Sequence, residues 1–195
     1  MNFDLSQNII LENEFVKLSP IATEDYSNLF DVATADKDLL KYSPNQVYSP
    51  ELLQKFIDNA IDGYKNGTKY TFIIYDKIKQ KFAGSSSFMN ISNLDSRLEI
   101  GGTWYGKEFQ RTGVNRNCKF LLLTYAFENL EALRVEFKID ERNAASRKGV
   151  ERIGAQYEGT LRSHTLLPDG FRRNTTCYSI LKDEWMETKS NFPLY

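Results

Sequence analysis

Residues 97–140 read RLEIGGTWYGKEFQRTGVNRNCKFLLLTYAFENLEALRVEFKID, and this stretch decides the fold. Its first nine residues are strand-like, with Ile100, Thr103, Trp104 and Tyr105 around an interruption at Gly101 and Gly102. From about Thr112, residues Val114, Cys118, Leu121, Leu122, Tyr125 and Ala126 recur at the spacing that lines one face of a helix. In LRVEFKID (133–140), Val135, Phe137 and Ile139 alternate with Arg134, Glu136 and Lys138, the period of a strand. A strand, a crossover helix and a second strand form a βαβ unit, which sets the two strands parallel.

The start of that helix raises a question of charge. A helix N-terminus carries unpaired N–H groups and a partial positive charge, so first turns favour Asp or Glu. Between Glu108 and Glu128 there is no acid; Arg111, Arg116 and Lys119 stand there instead. Thr112 is the candidate N-cap, and Gly113 leaves the backbone uncovered. Such a helix start is a phosphate site in outline, unless the arginines are ordinary surface residues beside a tight turn. The chain has no GxxxxGK[ST] and no GxGxxG. A nucleotide-hydrolysing loop and a dinucleotide fingerprint are thereby excluded, and a pyrophosphate held without metal is left. Gly101 and Gly102 mark a bulge or the close approach of a ligand, or relieve crowding in a twisted sheet.

Outward from this unit the pattern stays mixed. EFVKLSPI (14–21) alternates like a strand, and 24–34 and 50–64 are helical, the second with Ser49 as N-cap and Pro50 at the first position. KYTFIIYD (69–76) and KFAGSSSFMNI (81–91) are strands that precede 97–105, separated by turn residues at 76–80 and 93–96. Asn143 to Ile153 is a short helix with Asn143 as N-cap and Gly154 as its stop. AQYEGTLR (155–162) and TTCYSIL (175–181) form an antiparallel hairpin around a long loop that contains His164 and Pro168-Asp169-Gly170. The fold class is α+β, a mostly antiparallel mixed sheet with one parallel pair near its middle.

The chain has 195 residues, which predicts one domain over 1–195. With 25 Lys+Arg against 26 Asp+Glu, nothing pulls it generally toward nucleic acid or an anionic membrane. Its first 15 residues lack the pattern of a signal peptide and no apolar run approaches a membrane span, so the expected location is cytoplasmic. Cys118 and Cys177 fit buried small side chains, and a lone His164 offers little to a metal centre, so no metal is expected. Nothing in the sequence fixes the oligomeric state, homo-oligomers included.

The run from Glu99 to Arg162, continued by PDGFRRNTTCYSIL and the EW that follows, resembles the GNAT superfamily of N-acetyltransferases, and within it the Rim-type branch that acetylates ribosomal-protein N-termini. The resemblance implies acetyl-CoA as cosubstrate and a primary amine as acceptor, on a protein N-terminus or a small molecule. The Q/R-x-x-G-x-G/A motif corresponds to Gln110, Arg111, Thr112, Gly113, Val114 and Asn115, with Asn115 in place of the usual Gly or Ala. It implies that these residues bind the pyrophosphate and that splayed strands hold the pantetheine arm through Thr103, Trp104 and Tyr105. The N-x-x-S element falls on Asn143 and Ser146. Direct attack of the amine needs a base, for which Glu99 is the first candidate and Glu158 the second. Where relatives carry a tyrosine to protonate the thiolate, this chain has Val150, which leaves Ser146 as the proposed donor. Asn174 replaces a frequent Asp, and His164 is a candidate for the acceptor pocket. The alternative is a non-catalytic acyl-CoA-binding module. Residues 24–65 carry eight acids and four lysines, and 107–119 four cations and one acid, which suits a cationic amine opposite an anionic cofactor.

Overall fold

The computed structural model describes residues 1–193. In chain order the strands are β1 (Leu11–Glu12), β2 (Val16–Pro20), β3 (Lys69–Asp76), β4 (Lys81–Ser92), β5 (Arg97–Tyr105), β6 (Arg134–Asp140), β7 (Gln156–Leu166) and β8 (Arg172–Leu181). The helices are α1 (Asp25–Thr34), α2 (Pro50–Lys65), α3 (Val114–Thr124), α4 (Ala144–Glu151) and α5 (Trp185–Ser190). The strands form one sheet in the order β1-β2-β3-β4-β5-β6-β8-β7. Every neighbouring pair is antiparallel except β5 and β6, which the crossover through α3 makes parallel.

Both faces of the sheet are covered, which is why Thr71 to Ile74 are buried without a break. Phe72 and Ile74 point into the larger core with Leu98, Ile100, Tyr105, Cys118, Leu122, Phe137 and Trp185. Ile73 and Trp104 point the other way, onto Leu29 and Ala33 of α1 and Leu53, Phe56 and Ile57 of α2. Two helices thus pack on one face, and α3 with its apolar stripe on the other.

Helix starts follow their local chemistry. At α2, the Ser49 hydroxyl accepts from the Leu52 N–H at 3.3 Å, as expected. At α4, Asn143 accepts from the Ser146 N–H at 3.1 Å and is the N-cap. α3 departs from expectation. Thr112 is not its cap, because its hydroxyl donates to the Phe109 carbonyl at 2.7 Å. Gly113 stands at the cap instead with φ +93°, a left-handed conformation that only glycine adopts without strain.

The terminal hairpin is longer than its sequence signal. β7 runs to Leu166 and β8 starts at Arg172, so His164 lies in a strand and not in a loop. An irregular pairing between Leu161 and Thr165, with Ser163 at φ +51°, hides the alternation there. Among the described residues, no helix is long and apolar enough to cross a membrane.

Candidate active site

β5 and β6 pair over only three positions, Arg97 with Arg134, Leu98 with Val135 and Glu99 with Glu136. Beyond Glu99 the two strands run on without pairing, β5 to Tyr105 and β6 to Asp140. The cause is visible on the other side of β5. Ser85 of β4 faces Trp104 while Ser87 faces Gly101, so β5 uses three steps where β4 uses two. The extra residue falls at Gly102, which has φ +59°. The bulge twists β5 away from β6 and opens a wedge in the sheet.

One carboxylate stands at the apex of this wedge. Glu99 is 6% exposed, on the face of β5 that also carries Gly101. A Cβ on Gly101 would stand 2.9 Å from Glu99 Oε1, so the glycine makes room for the carboxylate. Glu99 Oε2 accepts from Asn90 Nδ2 at 2.7 Å and from Lys138 Nζ at 3.0 Å. Glu99 is thus ion-paired with Lys138 of the neighbouring strand, while Arg97 pairs with Asp95 at 3.4 Å. Lys138 and Asn90 are residues that sequence reasoning missed. Lys138 reads as an ordinary outward position of an alternating strand, and Asn90 takes φ +48° in a strand where nothing announces it.

Glu158, the second candidate base, is engaged elsewhere. Arg134 holds both its carboxylate oxygens, Nη1 at 2.6 Å, and Ser179 Oγ donates to it at 2.9 Å. The Arg134 guanidinium keeps this carboxyl below the usual range. A depressed folded value contributes stability above the unfolded value of about 4.3 and loses it as pH falls through the folded value. Glu158→Gln is therefore expected to flatten the acid limb of a thermal-melt-versus-pH curve. Catalytic turnover in the same protein should be unchanged; a loss of rate with no change in the melt would return Glu158 to the candidate bases.

The wedge opens toward the start of α3. No side chain caps the first N–H groups of this helix, and its first turn holds no acid. Arg111, Thr112 and Asn115 are exposed there, Gly113 and Arg116 are half-buried, and Val114 is in the core, so only its backbone faces the opening. Arg111 itself takes φ +62°. Gln110 Nε2 donates to the Tyr105 carbonyl at 3.2 Å and ties the loop to the end of β5. Trp104 and Tyr105 send their side chains to opposite faces of the sheet, and their β6-facing edge is unpaired. Thr103 Oγ1 meets Ser86 Oγ at 2.7 Å and accepts from Lys119 Nζ at 3.1 Å.

The α1–α2 connection is fastened to β8 and to the turn that precedes α4. Arg173 Nη1 donates to the Tyr42 carbonyl at 3.0 Å, and the Arg142 guanidinium lies over the rings of Phe171 and Tyr42 at 3.8 and 5.4 Å. His164 Nδ1 lies 3.1 Å from Thr175 Oγ1, and Asn174 bridges Ser163 N and Glu141 Oε2 at 2.8 and 2.9 Å. Ser146 is half-buried one turn into α4, and Val150 is in the core.

A family model described as an acetyltransferase (GNAT) domain matches residues 16–156. Bacillus subtilis (strain 168) YdaF, which bears the name putative ribosomal N-acetyltransferase, is 36% identical over 113 residues, 58% of this chain. That match spans 59% of YdaF's own length. A GCN5-related N-acetyltransferase from Brucella melitensis superposes with a TM-score of 0.87 at 26% identity, over 94% of this chain and 83% of that one. Mycobacterium smegmatis RimJ in complex with CoA-disulfide shares the fold, with a TM-score of 0.79 at 18% identity over 94% and 91% of the two chains. With the wedge, the uncapped helix start and a matching family model over most of its length, the chain belongs to the GNAT acetyltransferase family.

Proposed function

We propose that the chain acts as one domain, an acetyl-CoA-dependent N-acetyltransferase whose acceptor is the α-amine of a protein N-terminus. The observation that carries this reading is that the bulged strand and the uncapped α3 start open on the same wedge, with a buried carboxylate at its apex. An acyl-CoA combines the two features this cleft asks for, a pyrophosphate and an extended amide-bearing arm. The name of YdaF, a putative ribosomal N-acetyltransferase, supports a protein acceptor, and the CoA-disulfide complex of RimJ supports a CoA ligand.

Acetyl-CoA supplies the activated acyl group; the rest is done by the chain. The N–H groups at residues 113–116, with Arg111 beside them, hold the pyrophosphate through hydrogen bonds and the helix dipole. The β6-facing edge of Thr103, Trp104 and Tyr105, unpaired past Glu99, takes the amide arm as an added strand would. Asn143 and Ser146 flank the arm from α4. N–H groups of the bulged strand face the carbonyl oxygen on which charge develops. Glu99 accepts the proton of the attacking amine, and Asn90 and Lys138 fix its orientation. The net charge of −4 over residues 24–65 favours a cationic approach on the acceptor face.

The test is release of free CoA thiol from acetyl-CoA against a panel of N-terminal peptides and small amines. Turnover with peptides is the expected result. Turnover confined to small amines would move the acceptor to that class. Tight CoA binding without turnover on any amine would favour the non-catalytic module, a reading that the core position of Val150 keeps in play.

A further inference from the structure

Lys119 is a lysine on the apolar face of α3, 7% exposed, between the buried Cys118 and Leu122. Its ammonium does not reach solvent along its own helix. It donates to Thr103 Oγ1 on β5 at 3.1 Å and lies 5.3 Å above the ring of Phe137 on β6. Thr103 and Phe137 are both past the last paired positions, Glu99 and Glu136, so the ammonium stands in the mouth of the wedge. It enters from the α3 face, whereas Glu99 enters from the face of α1 and α2. The two faces follow from the side-chain alternation: Leu98, Ile100 and Phe137 share the α3-side core with Tyr105, and Glu99 and Lys138 alternate with them.

A buried cation with one hydroxyl and one ring as its nearest partners is expensive to keep, and a structural role does not require it. Two groups of opposite function on opposite faces of one cleft are what amine-to-thioester transfer needs. We propose that Lys119 is the acid of the reaction, the group that gives a proton to the departing CoA thiolate. This rests on the acetyl-CoA reading and assigns to Lys119 the role that the family resemblance left to Ser146.

The step balances. The acceptor nitrogen forms its bond to the acyl carbon and gives a proton to Glu99. The carbon–sulfur bond breaks with its electron pair on sulfur. Lys119 Nζ transfers a proton to that sulfur, becomes a neutral amine, and recovers a proton from water as Glu99 returns one.

Burial pushes Lys119 down to about 8, opposed by the Cys118 thiol of its own helix and the Glu99 carboxylate of β5. An ammonium at about 8 is a stronger acid than an ordinary lysine, as proton donation requires. That value also leaves the lysine charged at neutral pH. A folded value below the unfolded one costs stability at low pH, a cost relieved as pH rises through about 8 toward the unfolded lysine value of about 10.4.

The experiment is an ultraviolet titration of the CoA thiol bound to wild type, Lys119→Met and Ser146→Ala, with CoA binding measured for each by calorimetry. Methionine matches the unbranched stem and tolerates burial, so Lys119→Met is expected to fold with a melting temperature at or above wild type at pH 7. Bound to wild type and to Ser146→Ala, the thiol should ionise about 1–3 units below free CoA, the effect of an adjacent cation. Bound to Lys119→Met it should not. Equal thiol ionisation in wild type and Lys119→Met, with CoA bound to both, would overturn the assignment. Loss of the shift in Ser146→Ala alone would return the role to Ser146. Failure of wild type to bind CoA would overturn the acetyl-CoA reading and this assignment with it. Lys119→Arg, which keeps the charge but cannot give up its proton, separates the two functions of the ammonium: it should retain the thiolate shift and lose turnover.

Discussion

Glu99→Gln is expected to lower kcat by about 10²–10⁴-fold, the span of a positioned general base, with little change in the affinity for acetyl-CoA. Glutamine has the shape of the carboxylate and keeps one oxygen to accept from Asn90 and Lys138, which now bond to Glu99 Oε2 at 2.7 and 3.0 Å. The apex of the wedge should therefore stay intact, and Lys138 retains Glu136 at 3.2 Å as a second partner. What glutamine lacks is the capacity to take a proton. The rate of CoA release at saturating acetyl-CoA and acceptor isolates that loss. A wild-type rate in Glu99→Gln would make Glu99 a structural member of the Asn90–Lys138 cluster and leave the proton to water.

Gly113→Val should weaken CoA binding by about 10- to 150-fold. The glycine has open space around it: a Cβ there would meet only the side-chain nitrogens of Arg116 and Asn117, each at 3.8 Å. The obstacle is the backbone, since φ +93° is closed to a β-branched residue. Leaving that conformation turns the first N–H groups of α3 away from a common anion. One hydrogen bond to a charged group contributes about 1.5–3 kcal/mol, which is the predicted range of affinity loss. Calorimetric titration with CoA checks it. Unchanged affinity in a folded Gly113→Val protein would place the pyrophosphate elsewhere.

The order of elements was legible from residues 97–140 because a period of two, then about 3.6, then two again is hard to produce by chance. β3 and β5 keep their expected bounds, and Ser49 and Asn143 cap the helices they were assigned to. The paired glycines announced the bulge that opens the wedge. The helix start was legible as a first turn without an acid, yet its cap was not, because Thr112 and Gly113 both fit the position and only the Phe109 carbonyl decides between them. The interior of the site was harder to read. Glu99 was found as a carboxylate on an interrupted strand, but its partners come from β4 and β6, and no local spacing joins Asn90 to Lys138. Lys119 did carry a signal: it falls three and four residues before the buried Leu122 and Leu123, so it sits on the apolar face. It was read only as one more cation around a helix start. The hairpin was misjudged where an irregular pairing broke the alternation, which put His164 in a loop.

The most direct test of the account is thermal unfolding with acetyl-CoA, CoA, ATP and NAD added in turn. A ligand at about 100 times its dissociation constant stabilises by roughly 2.7 kcal/mol. For a chain of this size that raises the midpoint by roughly 5–10 °C. A shift of that order is expected with the two CoA species alone. No shift with CoA, or an equal shift with ATP, would contradict the acetyl-CoA reading.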